Sequence, residues 1–356
     1  DPLPVVVDTA EWASLEAAVS QRIELLDLVL TDLYGPRELL RRGVVPPEVV
    51  LGHSEFLRAA DQIRQRLDAD ADVRFVFSGT AANAIALSML TYPFEAVLAH
   101  NAAHVCTDET GAPGFFGHGL GLIGLPGFSG KIDPLALKAQ LDEPEVGHRQ
   151  PPAALTLTQA TEYGAVYSEE ELRHLIEPVK ARGHGVHLDG ARLANAAAAG
   201  FDLKDIPRLG VDVLVFGGAK AGANCAEAIV LFDKRLARRL DNRLKQAGQT
   251  ASKARLLAGP MLGLLESGDW EAGGAHANLM AQRLAEGVAT RSRFVLAHPV
   301  DANAVFVRMP TEAHARLNAL GWACYAFDDG SVLFVCSWAT TTEAVDELIE
   351  SVAGLE

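Results

Sequence analysis

From residue 73 onward, short apolar runs alternate with stretches of helical period. The runs VRFVF (73–77), EAVLA (95–99), ALTLT (154–158), GVHLD (185–189), VDVLVF (211–216) and EAIVLF (227–232) read as strands. Between them, TAANAIALSML (80–90), SEEELRHLIEPVKARG (168–183) and ARLANAAAAG (191–200) read as helices. Ser168 followed by Glu171 forms a capping-box pattern, and Gly183 and Gly200 are placed to stop their helices. This alternation predicts an α/β fold with a mostly parallel sheet. The stretch 109–131 (ETGAPGFFGHGLGLIGLPGFSGK) carries eight glycines and is expected to be mostly loop. After about Trp270 the texture changes. A long helix (271–288) leads to short strands around 294–297, 304–309 and 331–338, with helices at 311–320 and 341–353. That pattern predicts a smaller α+β domain. The first 57 residues stand outside the alternation, as helices broken by YGP and VVPPEVV. The expected organisation is therefore an atypical helical segment over 1–57, a large domain over 58–270 and a small C-terminal domain over 271–356.

Composition narrows the class. Of 356 residues, 49% are hydrophobic, 22% charged and 6% aromatic, a globular balance that excludes disorder, collagen and coiled coil. No run of about 18 apolar residues predicts a transmembrane helix. The opening DPLPVVVDTAEWASLE has neither the basic start nor the apolar centre of a secretory signal, and Asp1 in place of Met reads as a processed, cloned or truncated start. A net charge of −15 repels phosphate backbones and argues against a nucleic-acid partner. The basic stretch 234–255 is the local exception, read as a solvated or subunit-facing helix. Cys106, Cys225, Cys324 and Cys336 show no CxxC spacing. Their scatter argues against a disulfide framework or a zinc site and fits a reducing cytoplasm.

Some patterns carry no chemistry on inspection. Gly119, Gly121 and Gly124 match GxGxxG, but turn residues follow where the dinucleotide fingerprint needs a helix. His184, His187 and Asp189 could offer metal ligands, yet no further cluster supports them.

Three other features converge. SGTAAN (78–83) joins a strand to a helix with Gly79 and Thr80 at the turn, where free N–H groups and the helix dipole suit a phosphate. Asp189 ends GVHLD, either capping the next helix or lying at the mouth of the sheet, where ligands bind. Lys220 sits in GGAKAG after an apolar strand, either as a surface lysine or as a desolvated nucleophile able to form a Schiff base. Together they suit pyridoxal 5′-phosphate (PLP): a phosphate cradle, a carboxylate for the pyridine nitrogen and a lysine for the aldehyde.

Residues from about 58 to 356 resemble the low-specificity L-threonine aldolase family, within the fold-type-I PLP enzymes of aspartate aminotransferase-like fold. The resemblance rests on FVFSGTAANAIAL, HNAAHVCTDETGAP, LTQATEYGAVYSEEEL, VHLDGARLANA, FGGAK, KQAGQTASKARLLAGPMLGLLESGDW and HPVDANAVFVR, in that order. It implies retro-aldol cleavage of L-threonine, L-allo-threonine or related β-hydroxy-α-amino acids to glycine and an aldehyde, in a homodimer or homotetramer. It makes Lys220 the Schiff-base lysine, Asp189 the pyridinium partner, Gly79 and Thr80 phosphate contacts, and His104 the imidazole stacked on the ring. Arg192 would help bind the substrate carboxylate. Glu162 stands where some members carry a histidine proposed as base, and could serve as base, acceptor or structural residue.

The chain also departs from the pattern. Leu333, in VLFVCSW, occupies the position of an arginine that grips the substrate carboxylate, and Ala219 replaces a hydroxyl residue beside the lysine. The usual N-terminal segment is missing, and residues 22–60 resemble a fragment of the circularly permuted ATP-grasp family without its nucleotide-binding core. A hybrid that binds PLP with little turnover, or another PLP reaction such as β-elimination, is the alternative expectation.

Overall fold

The computed structural model describes residues 54–250, 255–327 and 329–355. A seven-stranded sheet forms its centre, with strands β1 (Asp72–Val76), β2 (Ala96–His100), β3 (Gly121–Leu125), β4 (Pro152–Thr158), β5 (Gly185–Gly190), β6 (Val213–Gly217) and β7 (Glu227–Leu231) in the order β1-β7-β6-β5-β4-β2-β3. The pairs β6–β5, β5–β4, β4–β2 and β2–β3 are parallel, whereas β7 runs antiparallel to both β1 and β6. The α/β expectation is met, and its physical reason is visible. Strands β2, β6 and β7 are buried at every position, so their sequences carry no polar alternation.

The glycine-rich stretch 109–131 is mostly loop, as expected, but it also carries a short helix, Ala112–Phe116, and the edge strand β3. GLIGL pairs in parallel with the fully buried β2, from Ala96–Gly121 to His100–Leu125. Glycine weakens a strand, but a ladder against a well-formed neighbour overrides that local preference.

The helix Gly79–Leu90 is rich in alanine, buried from Ala81 to Ser88, and packs on β5, β6 and β7. Small side chains let it lie close to the sheet. At the other side of the sheet, the helix Ser54–Leu67 packs on the helix Arg255–Ser267. Its Ile63 and Leu67 are fully buried, each contributing about 1.5–3 kcal/mol. Arg66 ties it further, with Nε 2.7 Å from Glu271 Oε1 and Nη2 2.7 Å from the Leu265 carbonyl.

A second sheet, of order β10-β11-β9-β8, is built from β8 (Val295–Leu296), β9 (Ala304–Arg308), β10 (Tyr325–Ala326) and β11 (Ser331–Val335), all antiparallel. The helices Asp269–Arg291 and Thr342–Ala353 cover it and share a core that includes Met280, Leu284, Val305, Val307 and Ile349. The long helix joins both units: its Trp270 belongs to the core of the large sheet, where it stacks on Phe216 at 4.8 Å.

Candidate active site

The carboxyl ends of the parallel strands meet at one edge, the place where open α/β sheets bind ligands. Thr158 and Asp189 are paired neighbours at the ends of β4 and β5. Lys220 follows the end of β6 within a single 3-10 turn, Ala219–Ala221. Two glycines permit this crowding. A Cβ on Gly190 would lie 2.4 Å from the Val215 carbonyl oxygen, and one on Gly217 would lie 2.5 Å from that of Gly190. Trp270 Nε1 donates to the Gly217 carbonyl at 2.8 Å, fixing the floor beneath the lysine turn.

The residues present fit PLP. At the start of the helix Gly79–Leu90, Ser78 Oγ caps the Ala81 N–H at 3.3 Å, and the first intrahelical donor, Ala82 N–H, reaches the Ser78 carbonyl at 3.0 Å. The N–H groups of Gly79 and Thr80 precede that bond and have no intrahelical partner. A Cβ on Gly79 would meet nothing within 4 Å, so the space beside this turn is open. Asp189 is only 4% exposed. Its Oδ1 accepts from the Ala191 N–H at 2.9 Å and its Oδ2 from Asn83 Nδ2 at 2.8 Å. Each oxygen keeps a free lone pair for a ring N–H. Arg192 Nε and Glu162 Oε2 are buried without a partner. Unmet buried groups of this kind are costly, and they stand ready for ligand atoms.

The electrostatics tie these residues together. Lys220 is exposed by surface area, yet protein crowds its amine: desolvation first, then the Arg192 charge, lowers its pKa, against opposing pulls from Asp189, Glu227 and Glu162. A lowered pKa raises the free-amine fraction needed for attack on a carbonyl. Burial likewise lowers the Arg192 pKa and raises that of Glu162. Glu162 Oε1 accepts from the His104 backbone N–H and from Thr158 Oγ1, both at 2.9 Å. The His104 pKa is raised, chiefly by its hydrogen bond to Glu109. His187 is instead fully buried, bonded through Nδ1 to Thr156 Oγ1 at 2.8 Å, and pushed down to about 4 by burial.

The structure thus brings Lys220, Asp189, Arg192, Glu162 and His104 within electrostatic reach of one another, with Gly79 and Thr80 on the helix that carries Asn83. Three participants have no distinct sequence signal: Asn83, Glu109 and Glu227. Glu227 opens the apolar strand EAIVL but is 3% exposed, and its Oε2 accepts from the Gly218 N–H at 2.9 Å, bracing the lysine turn.

Burial pushes the Glu227 carboxyl up to about 7. The folded state therefore binds its proton more tightly than the unfolded state does. That contribution to stability is complete below about pH 4.5 and is lost as the pH rises through 7. Its size is on the order of 2–3 kcal/mol. Glu227→Gln is expected to remove this loss in the apoprotein. Urea unfolding at pH 5 and 7.5 checks it, and an equal pH dependence in variant and parent would count against it.

Leu333 lies on the small sheet. It pairs with Phe306 across β11 and β9, on the face where the Phe306 ring meets Tyr163 at 5.1 Å. Residue 333 thus shares a face of the small sheet with a ring that touches the neighbour of Glu162.

Comparison with known proteins completes the description of this edge. The model of the beta-eliminating lyase family matches residues 45–312. The chain belongs to that family. Among curated relatives, the low specificity L-threonine aldolase of Pseudomonas sp. (strain NCIMB 10558) is 42% identical over 294 residues, covering 82% of this chain and 85% of the relative. The solved threonine aldolase of Leishmania major superposes with a TM-score of 0.79 at 31% identity, covering 85% of this chain and 89% of that one. The histidinol-phosphate aminotransferase of Clostridium acetobutylicum, at 12% identity and a TM-score of 0.67, covers 84% of this chain and shows the shared fold alone. A second family model, circularly permuted ATP-grasp type 2, matches residues 4–79. An uncharacterized protein of Mycobacterium tuberculosis is 52% identical over 64 residues, 18% of this chain and 7% of its own length. The ATP-grasp resemblance therefore extends further than residues 22–60. It runs into β1, a strand built into the lyase sheet. Most of this match lies outside the described residues.

Proposed function

We propose that this chain is a PLP-dependent aldolase that splits β-hydroxy-α-amino acids such as L-threonine or L-allo-threonine into glycine and an aldehyde. The observation that carries this reading is the convergence of a pKa-lowered lysine, a buried carboxylate and an arginine with an unmet buried N–H at one sheet edge. Bound PLP supplies an aldehyde for the substrate amine and a conjugated ring that takes up the electron pair left at Cα when the Cα–Cβ bond breaks.

The chain's own residues do the rest. Lys220 would hold the cofactor through its amine, whose lowered pKa favours the free base. Asp189 would hold the proton on the ring nitrogen, and the N–H groups of Gly79 and Thr80 would bind the phosphate. Arg192 binds the substrate carboxylate and so orients the bond to be broken, a positioning effect. Glu162 accepts the β-hydroxyl proton on its unpartnered Oε2, and burial raises its pKa toward that of a useful base. His104, with its side chain 38% exposed, offers its ring to the cofactor.

Acetaldehyde release from L-threonine by the PLP-loaded protein, followed by coupled reduction, tests the reading. Pyruvate and ammonia from L-serine, with no acetaldehyde from L-threonine, would point to β-elimination instead. A second reading, a protein that holds PLP and turns over slowly, is favoured by Leu333. Leu333→Arg is expected to raise kcat/KM for L-threonine roughly 10-fold or more by adding a charged hydrogen bond to the carboxylate. An unchanged kcat/KM would show that Leu333 is not the weak point.

No helix among the described residues is long and apolar enough to cross a membrane. We place the enzyme in the cytoplasm, a reading supported by four cysteines that are all free. A homodimer or homotetramer is supported by exposed Phe77, Phe115 and Phe128.

A further inference from the structure

We propose that Glu109 is a positioning residue that locks His104 and Asp189 into one arrangement, a role that rests on the reading of these two as cofactor contacts. The Glu109 side chain is wholly buried. It lies just before Thr110 and Gly111, whose positive φ values of 49° and 76° turn the chain between two short helices. A single oxygen, Oε1, accepts from His104 Nδ1 at 3.0 Å and from Asn83 Nδ2 at 2.8 Å. Asn83 Nδ2 also lies 2.8 Å from Asp189 Oδ2. One amide NH2 thus spends its two hydrogens on two carboxylates, Glu109 at 26 residues along the chain and Asp189 at 106. Both partners only accept when ionised, which dictates the orientation of the Asn83 amide.

The consequence falls on His104. With Nδ1–H bonded to Glu109, Nε2 is the nitrogen left without a hydrogen bond to the described residues. The backbone N–H of His104 is held by Glu162 at 2.9 Å, so the residue is pinned at both ends by carboxylates. The charges facing its ring are Glu109, Asp189 and Lys220, of which Glu109 makes the direct bond. A buried carboxylate is expensive unless it is paired. Here both bonds fall on Oε1, one from His104 and one from Asn83, the amide that also holds Asp189.

The test is histidine NMR of the apoprotein, with the His104 signal assigned by its loss in His104→Asn. Glu109→Gln preserves shape and removes the charge. It is expected to lower the His104 titration midpoint by about one pH unit and to mix the ring tautomers. An unmoved midpoint with a single Nδ1–H tautomer overturns the proposal. Asn83→Ala provides a second arm. It cuts the link to Asp189 while leaving the His104–Glu109 bond, so the midpoint should stay while PLP binds about tenfold more weakly or worse. Unchanged PLP affinity in that variant overturns the coupling to Asp189. If the parent protein took up no PLP at Lys220, the reading of the site would fail instead, whatever the histidine signal did.

Discussion

Lys220→Ala will cost about 10³-fold or more in the rate of L-threonine cleavage, and added amines will be poor substitutes for the missing side chain. The expectation follows from position. Lys220 leaves β6 on a turn braced by Glu227 at the Gly218 N–H and by Trp270 at the Gly217 carbonyl. Burial and the Arg192 charge keep a larger fraction of its amine unprotonated. The variant should fold, because the lysine is exposed by area and makes no hydrogen bond to the described residues that shapes the turn. Its thermal midpoint should lie near the parent's while turnover collapses. Cleavage within tenfold of the parent would contradict the assignment.

Asp189→Asn is expected to lower kcat by roughly 100-fold or more, from loss of the charge that keeps a proton on the ring nitrogen. Here a stability effect accompanies the catalytic one. Asp189 accepts from both the Ala191 N–H and Asn83 Nδ2. An asparagine has only one oxygen, so it can satisfy one of these donors and must oppose the other with its own NH2. About 1–3 kcal/mol of stability should go with it. Steady-state kinetics beside urea unfolding separates the two effects. A kcat within threefold of the parent would contradict the role given to this carboxylate.

Much of this architecture is legible in the sequence where the physics is local. VDVLVF and EAIVLF announce strands buried on both faces, and the turn residues around Lys220 and Asp189 place those side chains at strand ends. GLIGL is not legible as a strand. Glycines carry no pattern, and its stability comes from pairing with β2 across a gap in sequence. The His104–Glu109–Asn83–Asp189 chain is hidden for a related reason. It needs a helix, a loop and a strand end to meet, and no spacing along the chain encodes that meeting. Glu227 is missed because a glutamate opening an apolar strand looks like a boundary residue, although the structure turns it inward under the lysine turn. Leu333 is the reverse case. Its position is legible in VLFVCSW, but only the Phe306–Tyr163 contact shows which way that face of the small sheet looks.

The most direct test of the account is borohydride reduction of the PLP-loaded protein, followed by peptide mass mapping. The account predicts a Schiff-base absorption band that disappears on reduction, and a pyridoxyl group on Lys220. A protein that shows no such band, or carries the adduct scattered over surface lysines with Lys220 unmodified, would contradict it.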